Sequence, residues 1–150
     1  VLYFYSAEVI KVHDGDTVFL NIDMGRGIFH RDTDRGHRLW GINAPELNTD
    51  KGVQAGSWLT ERLKQCNNQL FVHTIKAPKG FDKRDVYGRY LAVLYDQNGL
   101  DDYQRALDKH RVELHFDDHL RLAFRMRIIP FFSINQKILD AGHAMKKFYR

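Results

Sequence analysis

Three short stretches carry the residue types for chemistry on a phosphate. Arg38-Leu39-Trp40-Gly41-Ile42-Asn43-Ala44-Pro45-Glu46 begins with a cation on an apolar run, breaks at Gly41, and ends in a turn where Pro45 forces Ala44 into an extended conformation. A guanidinium, an amide oxygen and a carboxylate at the end of one strand are the groups that hold a phosphate, a hard cation and a water together. His13-Asp14-Gly15-Asp16-Thr17 lies upstream and adds a second carboxylate, Asp16. Asp85-Val86-Tyr87-Gly88-Arg89-Tyr90-Leu91-Ala92 lies downstream and adds a second strand-end guanidinium, Arg89.

Elements to position these groups are legible on both sides. Residues 7–12 and 17–23 read as two strands around the Asp14-Gly15-Asp16 turn, with Val18, Leu20 and Ile22 at the period of a half-buried strand. Met24-Gly25-Arg26-Gly27 is a hairpin turn, Ile28 to His30 a short return strand, and Arg31 to Gly36 a polar loop leading to the strand that holds Arg38. Ala55, Trp58, Leu59, Leu63 and Cys66 recur at helical spacing, so residues 53–66 are predicted to form an amphipathic helix, with Asn48-Thr49-Asp50 offering caps and Asp50 the first choice, Gly52 adding local freedom and Asn67-Asn68 as its stop. Leu70 to Ile75 and Arg89 to Tyr95 read as strands separated by a basic loop, and Asn98-Gly99 as a turn.

Between residues 100 and 132, two period-2 runs flank Asp117-Asp118-His119. They predict a hairpin near 111–129 with Arg121, Arg125 and Arg127 on one face, where nucleic-acid backbone or a partner's acidic surface would fit; a helix is the alternative. Pro130 ends the second run, and residues 134–147 are predicted to form the last helix. Strands dominate, one helix interrupts them, and no strand-helix-strand alternation repeats, a pattern that suits an α+β, mainly β chain built on a small closed barrel with helices attached.

Taken in order, the three stretches resemble the staphylococcal nuclease (thermonuclease) family. A fourth, Asn135-Gln136-Lys137-Ile138-Leu139-Asp140-Ala141-Gly142-His143-Ala144, resembles that family's Asn-x-x-Leu-x-x-Gly-x-Ala helix. The resemblance covers residues 8–99 and 133–149. It implies a five-stranded OB-fold barrel and a calcium-dependent, sugar-nonspecific nuclease that cleaves DNA and RNA to 3′-phosphate products. It further implies that Asp16, the Asn43 side chain and the Ala44 carbonyl contribute to a Ca²⁺ shell, that Glu46 orients or deprotonates the attacking water, and that Arg38 and Arg89 clamp the reacting phosphate. Tyr87 matches a phosphate-side hydroxyl and Phe148 a base-stacking aromatic, with Asp85 beside the site. The chain departs from the family pattern at Asn43, where Asp is usual, and at Val86, where a phosphate-binding lysine often stands and Lys83 or Arg84 is the candidate substitute. The other reading from the same resemblance is a catalytically silent OB-fold module that binds nucleic acid or protein.

Bulk properties set the frame. At 150 residues the chain fits one domain. An apolar fraction of 43% excludes a disordered chain. A net charge of +4 and a pI near 9.2 favour a polyanionic partner. The single cysteine, Cys66, excludes an internal disulfide and reads as a buried helix residue. His115 and His119 would share a face on a helix, as in a zinc site, but straddle the turn of a hairpin. No apolar run approaches the about 18 residues of a membrane span. The expectation is a soluble protein, either secreted after loss of a signal peptide or intracellular.

Overall fold

The computed structural model describes residues 4–75, 89–109 and 128–147. The chain is mixed α and β, mainly strand. The strands are β1 (Phe4–Asp14), β2 (Thr17–Asp23), β3 (Phe29–Arg31), β4 (His37–Leu39), β5 (Ile42–Asn43), β6 (Gln69–Thr74), β7 (Leu91–Tyr95) and β8 (Met145–Lys146). The helices are α1 (Asp50–Lys64) between β5 and β6, α2 (Gln97–Lys109) after β7, and α3 (Ile134–Asp140) before β8.

Five strands close into a ring in the order β1-β6-β7-β4-β2, because β2 also pairs with β1. Register shifts in β1 between Val9 and Lys11, and between Val12 and Asp14, let this one long strand bend across two neighbours. All pairings in the ring are antiparallel except β4 with β7, where Arg38 lies opposite Leu91. β3 pairs only with β2 among the described residues and extends the sheet past the ring. The β2–β3 connection runs through Gly25, Arg26 and Gly27, and Met24 N–H reaches the Ile28 carbonyl at 2.8 Å, as the predicted turn requires.

Inside the ring, Val18, Leu20, Leu39, Val72 and Leu94 are fully buried. From the spacing read in the sequence, Ala55, Leu59 and Leu63 are the α1 residues that go into this core, with Trp58 packed at its edge. Each large aliphatic side chain so buried contributes about 1.5–3 kcal/mol of transfer free energy. The observed burial of Thr17 and Phe19 departs from simple alternation on β2, because the neighbouring loop and Lys11, 4.3 Å above the Phe19 ring, cover the strand's other face.

Several boundaries move for local reasons. The cap of α1 is Thr49, not Asp50: its Oγ1 accepts from Gly52 N–H at 3.0 Å, and Asp50 falls in the first turn instead. Asn67 and Asn68 do end that segment, both with φ of 56°. Cys66 lies just beyond the helix and is half-buried rather than buried. Asn98-Gly99 is not a free turn. Asp96 Oδ1 accepts Gly99 N–H at 2.6 Å, and this capping makes the dipeptide the first turn of α2, a helix the periodicity did not announce.

The last helix stops at Asp140, short of 147, because Met145 and Lys146 leave it to pair with Asn43 and Ile42. Asn135 on α3 is fully buried and joins three backbone segments. Its Oδ1 accepts Leu94 N–H at 3.0 Å, and its Nδ2 donates to the carbonyls of Trp40 at 2.9 Å and Ala92 at 3.1 Å. Of the hairpin expected near 111–129, only residues 128 and 129 belong to the described chain, and Ile129 is buried in the core. His115 and His119 lie outside it.

Candidate active site

The ends of three adjacent strands bring the motif residues together. β2 starts at Thr17, which lies opposite Arg38 on β4, and β4 in turn runs beside β7, just after Arg89. Gly15 lets the β1–β2 turn settle against its neighbours, since a Cβ there would sit 2.7 Å from that of Ala44 and 2.8 Å from that of Ala55. Gly52 serves the same purpose on α1. A Cβ there would lie 1.8 Å from the Glu46 carbonyl oxygen, so only glycine lets the helix start directly on the turn that carries Glu46.

Asp16 is the hub and is only 4% exposed. Its Oδ1 accepts from Thr17 Oγ1 at 3.0 Å and lies 3.0 Å from Arg38 Nη1, while its Oδ2 accepts Ala44 N–H at 2.8 Å. Arg38 Nη2 donates to the Ile42 carbonyl at 3.1 Å and to Asn43 Oδ1. Arg89 Nη1 donates to Thr17 Oγ1 at 3.2 Å, so Thr17 links the second guanidinium to the first carboxylate. Burial pushes the Asp16 carboxyl up to about 6, with Asp14 adding to the effect and Arg38 and the Ala44 amide opposing it.

These groups open on a cleft of about 830 Å³ that also takes in His13, Asp34, Arg35 and the exposed carboxylate of Glu46. A separate cleft of about 530 Å³, between α1 and the start of α2, holds the Arg62–Asp96 ion pair and none of the candidate residues.

The structure therefore brings Asp16, Arg38, Asn43, Ala44, Glu46 and Arg89 to one cleft. Ala44 N–H donates to Asp16 Oδ2, which ties the turn before Glu46 to the carboxylate. Arg38 is turned inward, 8% exposed, and is engaged by Asp16, Ile42 and Asn43; among the described residues its Nε is buried without a partner. Tyr87, Asp85, Val86, Lys83, Arg84 and Phe148 lie outside the described residues.

Thr17 and Asp14 are the site residues that the motif contained and residue-by-residue matching passed over. Asp14 Oδ1 accepts Asp16 N–H at 3.0 Å and so shapes the turn that presents Asp16. Their signal was adjacency to Asp16 in a tight turn.

Among the described residues, no three acidic, histidine or cysteine side chains gather to hold a metal by themselves. The donors present are nonetheless hard oxygens. Asp16 and Asn43 converge on the same guanidinium, and burial outweighs Arg38 in holding the Asp16 carboxyl above its usual range, so added positive charge there would be stabilised. The chemistry of this set fits a hard divalent cation. No helix among the described residues is long and apolar enough to cross a membrane. Comparison of the chain with protein-family models finds no match, and a search of curated proteins finds none either.

Proposed function

We propose that the protein is a Ca²⁺-dependent, sugar-nonspecific nuclease on an OB-fold barrel. The observation that carries the reading is the meeting of two guanidiniums, Arg38 and Arg89, with a buried carboxylate, Asp16, in a cleft whose rim holds the free carboxylate of Glu46. The five-stranded ring with α1 between β5 and β6 supports the OB-fold, and a basic chain suits a polyanionic substrate.

On this reading a phosphodiester enters the cleft and accepts bidentate hydrogen bonds from Arg89 and, once it lets go of Asn43, from Arg38. The buried Nε–H of Arg38 is a further donor that an anionic oxygen would satisfy. Water attacks phosphorus in line with the 5′ oxygen, and Glu46 orients it or takes its proton. The guanidiniums stabilise charge growing on the equatorial oxygens, the P–O5′ bond breaks, and a 3′-phosphate remains. Asp16 and Asn43 are the side chains that would hold Ca²⁺, which when bound supplies positive charge to the phosphoryl oxygens.

The second reading is a silent OB-fold module that binds nucleic acid or protein, and the inward engagement of Arg38 by Asp16 and Asn43 favours it. One assay separates the two. The purified chain is incubated with single-stranded DNA and with RNA, with Ca²⁺ or with chelator, and product ends are identified. Cleavage with Ca²⁺ to 3′-phosphate ends is expected; retention without cleavage would leave the silent module.

A further inference from the structure

The loop between β3 and β4 stands as a ridge between two depressions. One is the cleft just described. The other, about 300 Å³, is walled by Arg31, His30 and Tyr90 and shares Asp34, Arg35 and Gly36 with the first.

This ridge is fixed from beneath by Asp32, a residue of the polar loop. Asp32 is 8% exposed and points into the protein. Its N–H donates to the Leu20 carbonyl at 2.9 Å, and its Oδ2 accepts Leu20 N–H at 3.0 Å and lies 2.7 Å from His37 Nδ1. Its Oδ1 lies 3.4 Å from His30 Nε2. One carboxylate thus clamps the loop to β2, β3 and β4; Asp32 also lines the floor of the second depression, but its carboxylate is engaged by Leu20 N–H, His37 and His30.

What the ridge presents outward is cationic. The side chains of Arg31 and Arg35 are exposed, and among the described residues neither side chain forms an ion pair or hydrogen bond; Asp34 is the exposed carboxylate between them. Arg31 is placed by strand pairing, opposite Asn21, so its position is set by the sheet. Arg35 lines both depressions and spans the ridge. A guanidinium on a fixed element loses less entropy on meeting a phosphate than one on a free loop, and it binds phosphate in a planar fork.

A mononucleotide or a small phosphodiester would fill the first cleft and go no further. A polynucleotide carries its next phosphate onward over the rim. We infer that the groove at Arg31 and Arg35 is a subsite for the neighbouring phosphate of a single-stranded nucleic acid; the inference rests on the nuclease reading for its first cleft. Arg35 hands the strand across the ridge and Arg31 holds the phosphate beyond it.

The test uses the full chain with thymidine oligonucleotides, a dinucleotide and a fluorescent dodecamer, as probes. Binding of both probes is followed in chelator over a salt series, the dodecamer by anisotropy and the dinucleotide by calorimetric titration, and turnover of both is followed with Ca²⁺. Arg31→Gln should weaken dodecamer binding roughly threefold to tenfold at low salt and reduce the slope of log affinity against log salt by about 0.7, the share of one single-strand phosphate. Dinucleotide turnover should not change. Arg31→Lys, which keeps the charge, should recover the slope and serves as a second variant if the glutamine protein folds poorly. Equal dodecamer affinity and slope in parent and Arg31→Gln would overturn the subsite, as would a parent that binds both lengths equally. An Arg31-dependent slope with no turnover in Ca²⁺ would uphold the strand subsite and remove the nuclease reading. Binding of neither probe would remove both.

Discussion

Asp16 satisfies both carboxylate oxygens within the protein, yet burial still lifts its carboxyl to about 6. Its folded pKa lies above the ordinary carboxylate value near 4, so the fold takes up a proton as pH falls. The cost of the ionised group is present above pH 6 and is relieved as pH drops through 6 toward 4. A cation bound there competes with that proton. Ca²⁺ affinity should therefore fall by about tenfold per pH unit below pH 6, measured by calorimetric titration at several pH values; an affinity flat in pH would place the ion elsewhere. Asn43 supplies an oxygen but no charge, and Asn43→Asp should tighten Ca²⁺ binding, whereas identical affinity would take this residue out of the shell. For the reaction itself, Glu46→Ala, Arg38→Ala and Arg89→Ala should each lower turnover by roughly a hundredfold or more, with unchanged circular dichroism. Near-normal turnover of the Arg89 variant would remove the phosphate clamp.

The elements that carry these residues are held by a few buried polar contacts, and those are where stability and site geometry meet. Asn135 bonds three backbone groups of β7 and of the chain after β4, so it fixes the strand end from which Arg38 and Asn43 project. Asn135→Ala leaves those groups without their partner inside the core. It should cost about 2–4 kcal/mol, read as a lower urea midpoint, and should lower Ca²⁺ affinity along with stability. Thr49→Ala removes only a cap and should cost about 1 kcal/mol. Equal midpoints for the Asn135 variant and the parent would mean that water replaces all three bonds. α2 illustrates why the sequence misled at this scale: its start depends on Asp96 turning back onto Gly99, and Asn-Gly on its own is a turn signal.

Across the whole molecule, Asp96 ties stability to pH in the opposite sense to Asp16. Burial disfavours the charge on Asp96, but the hydrogen bonds from Arg62 and the Gly99 amide and the nearby Lys137 outweigh it and hold its carboxyl below the usual range. A lowered folded pKa stabilises the protein above the ordinary carboxylate value, and that contribution is lost as pH falls through the folded one. Asp96→Asn should consequently destabilise the protein at neutral pH, by loss of the ion pair with Arg62 that joins α2 to α1 while an amide oxygen still caps Gly99 N–H, and the difference from the parent should shrink below pH 4. Thermal melts of both proteins across pH 3–7 check this, and a difference that does not narrow in acid would separate the loss from ionisation.

The sequence by itself determined the first strands through β2, the placement of α1 and most of the residues that meet in the cleft. These rest on local signals: period-2 and helical spacing, a Pro-locked turn, and chemical groups within a few residues of each other. Asp16, Arg38, Asn43, Glu46 and Arg89 were legible because each stands at a strand end or turn that the local chain already defines. Tertiary structure alone decided where those groups face. The Ala44 amide meets Asp16 because the β1–β2 turn, far away in sequence, brings the carboxylate to it. Arg38 turns inward because β5 and the β1–β2 turn bring it three acceptors at once. The chain after Asp140 leaves the helix because Ile42 and Asn43 offer it a strand partner, and Asp32 goes to the interior because Leu20 and His37 are there to receive it. Pairing and burial between distant segments have no periodicity in the chain, and those interactions set the final direction of each side chain.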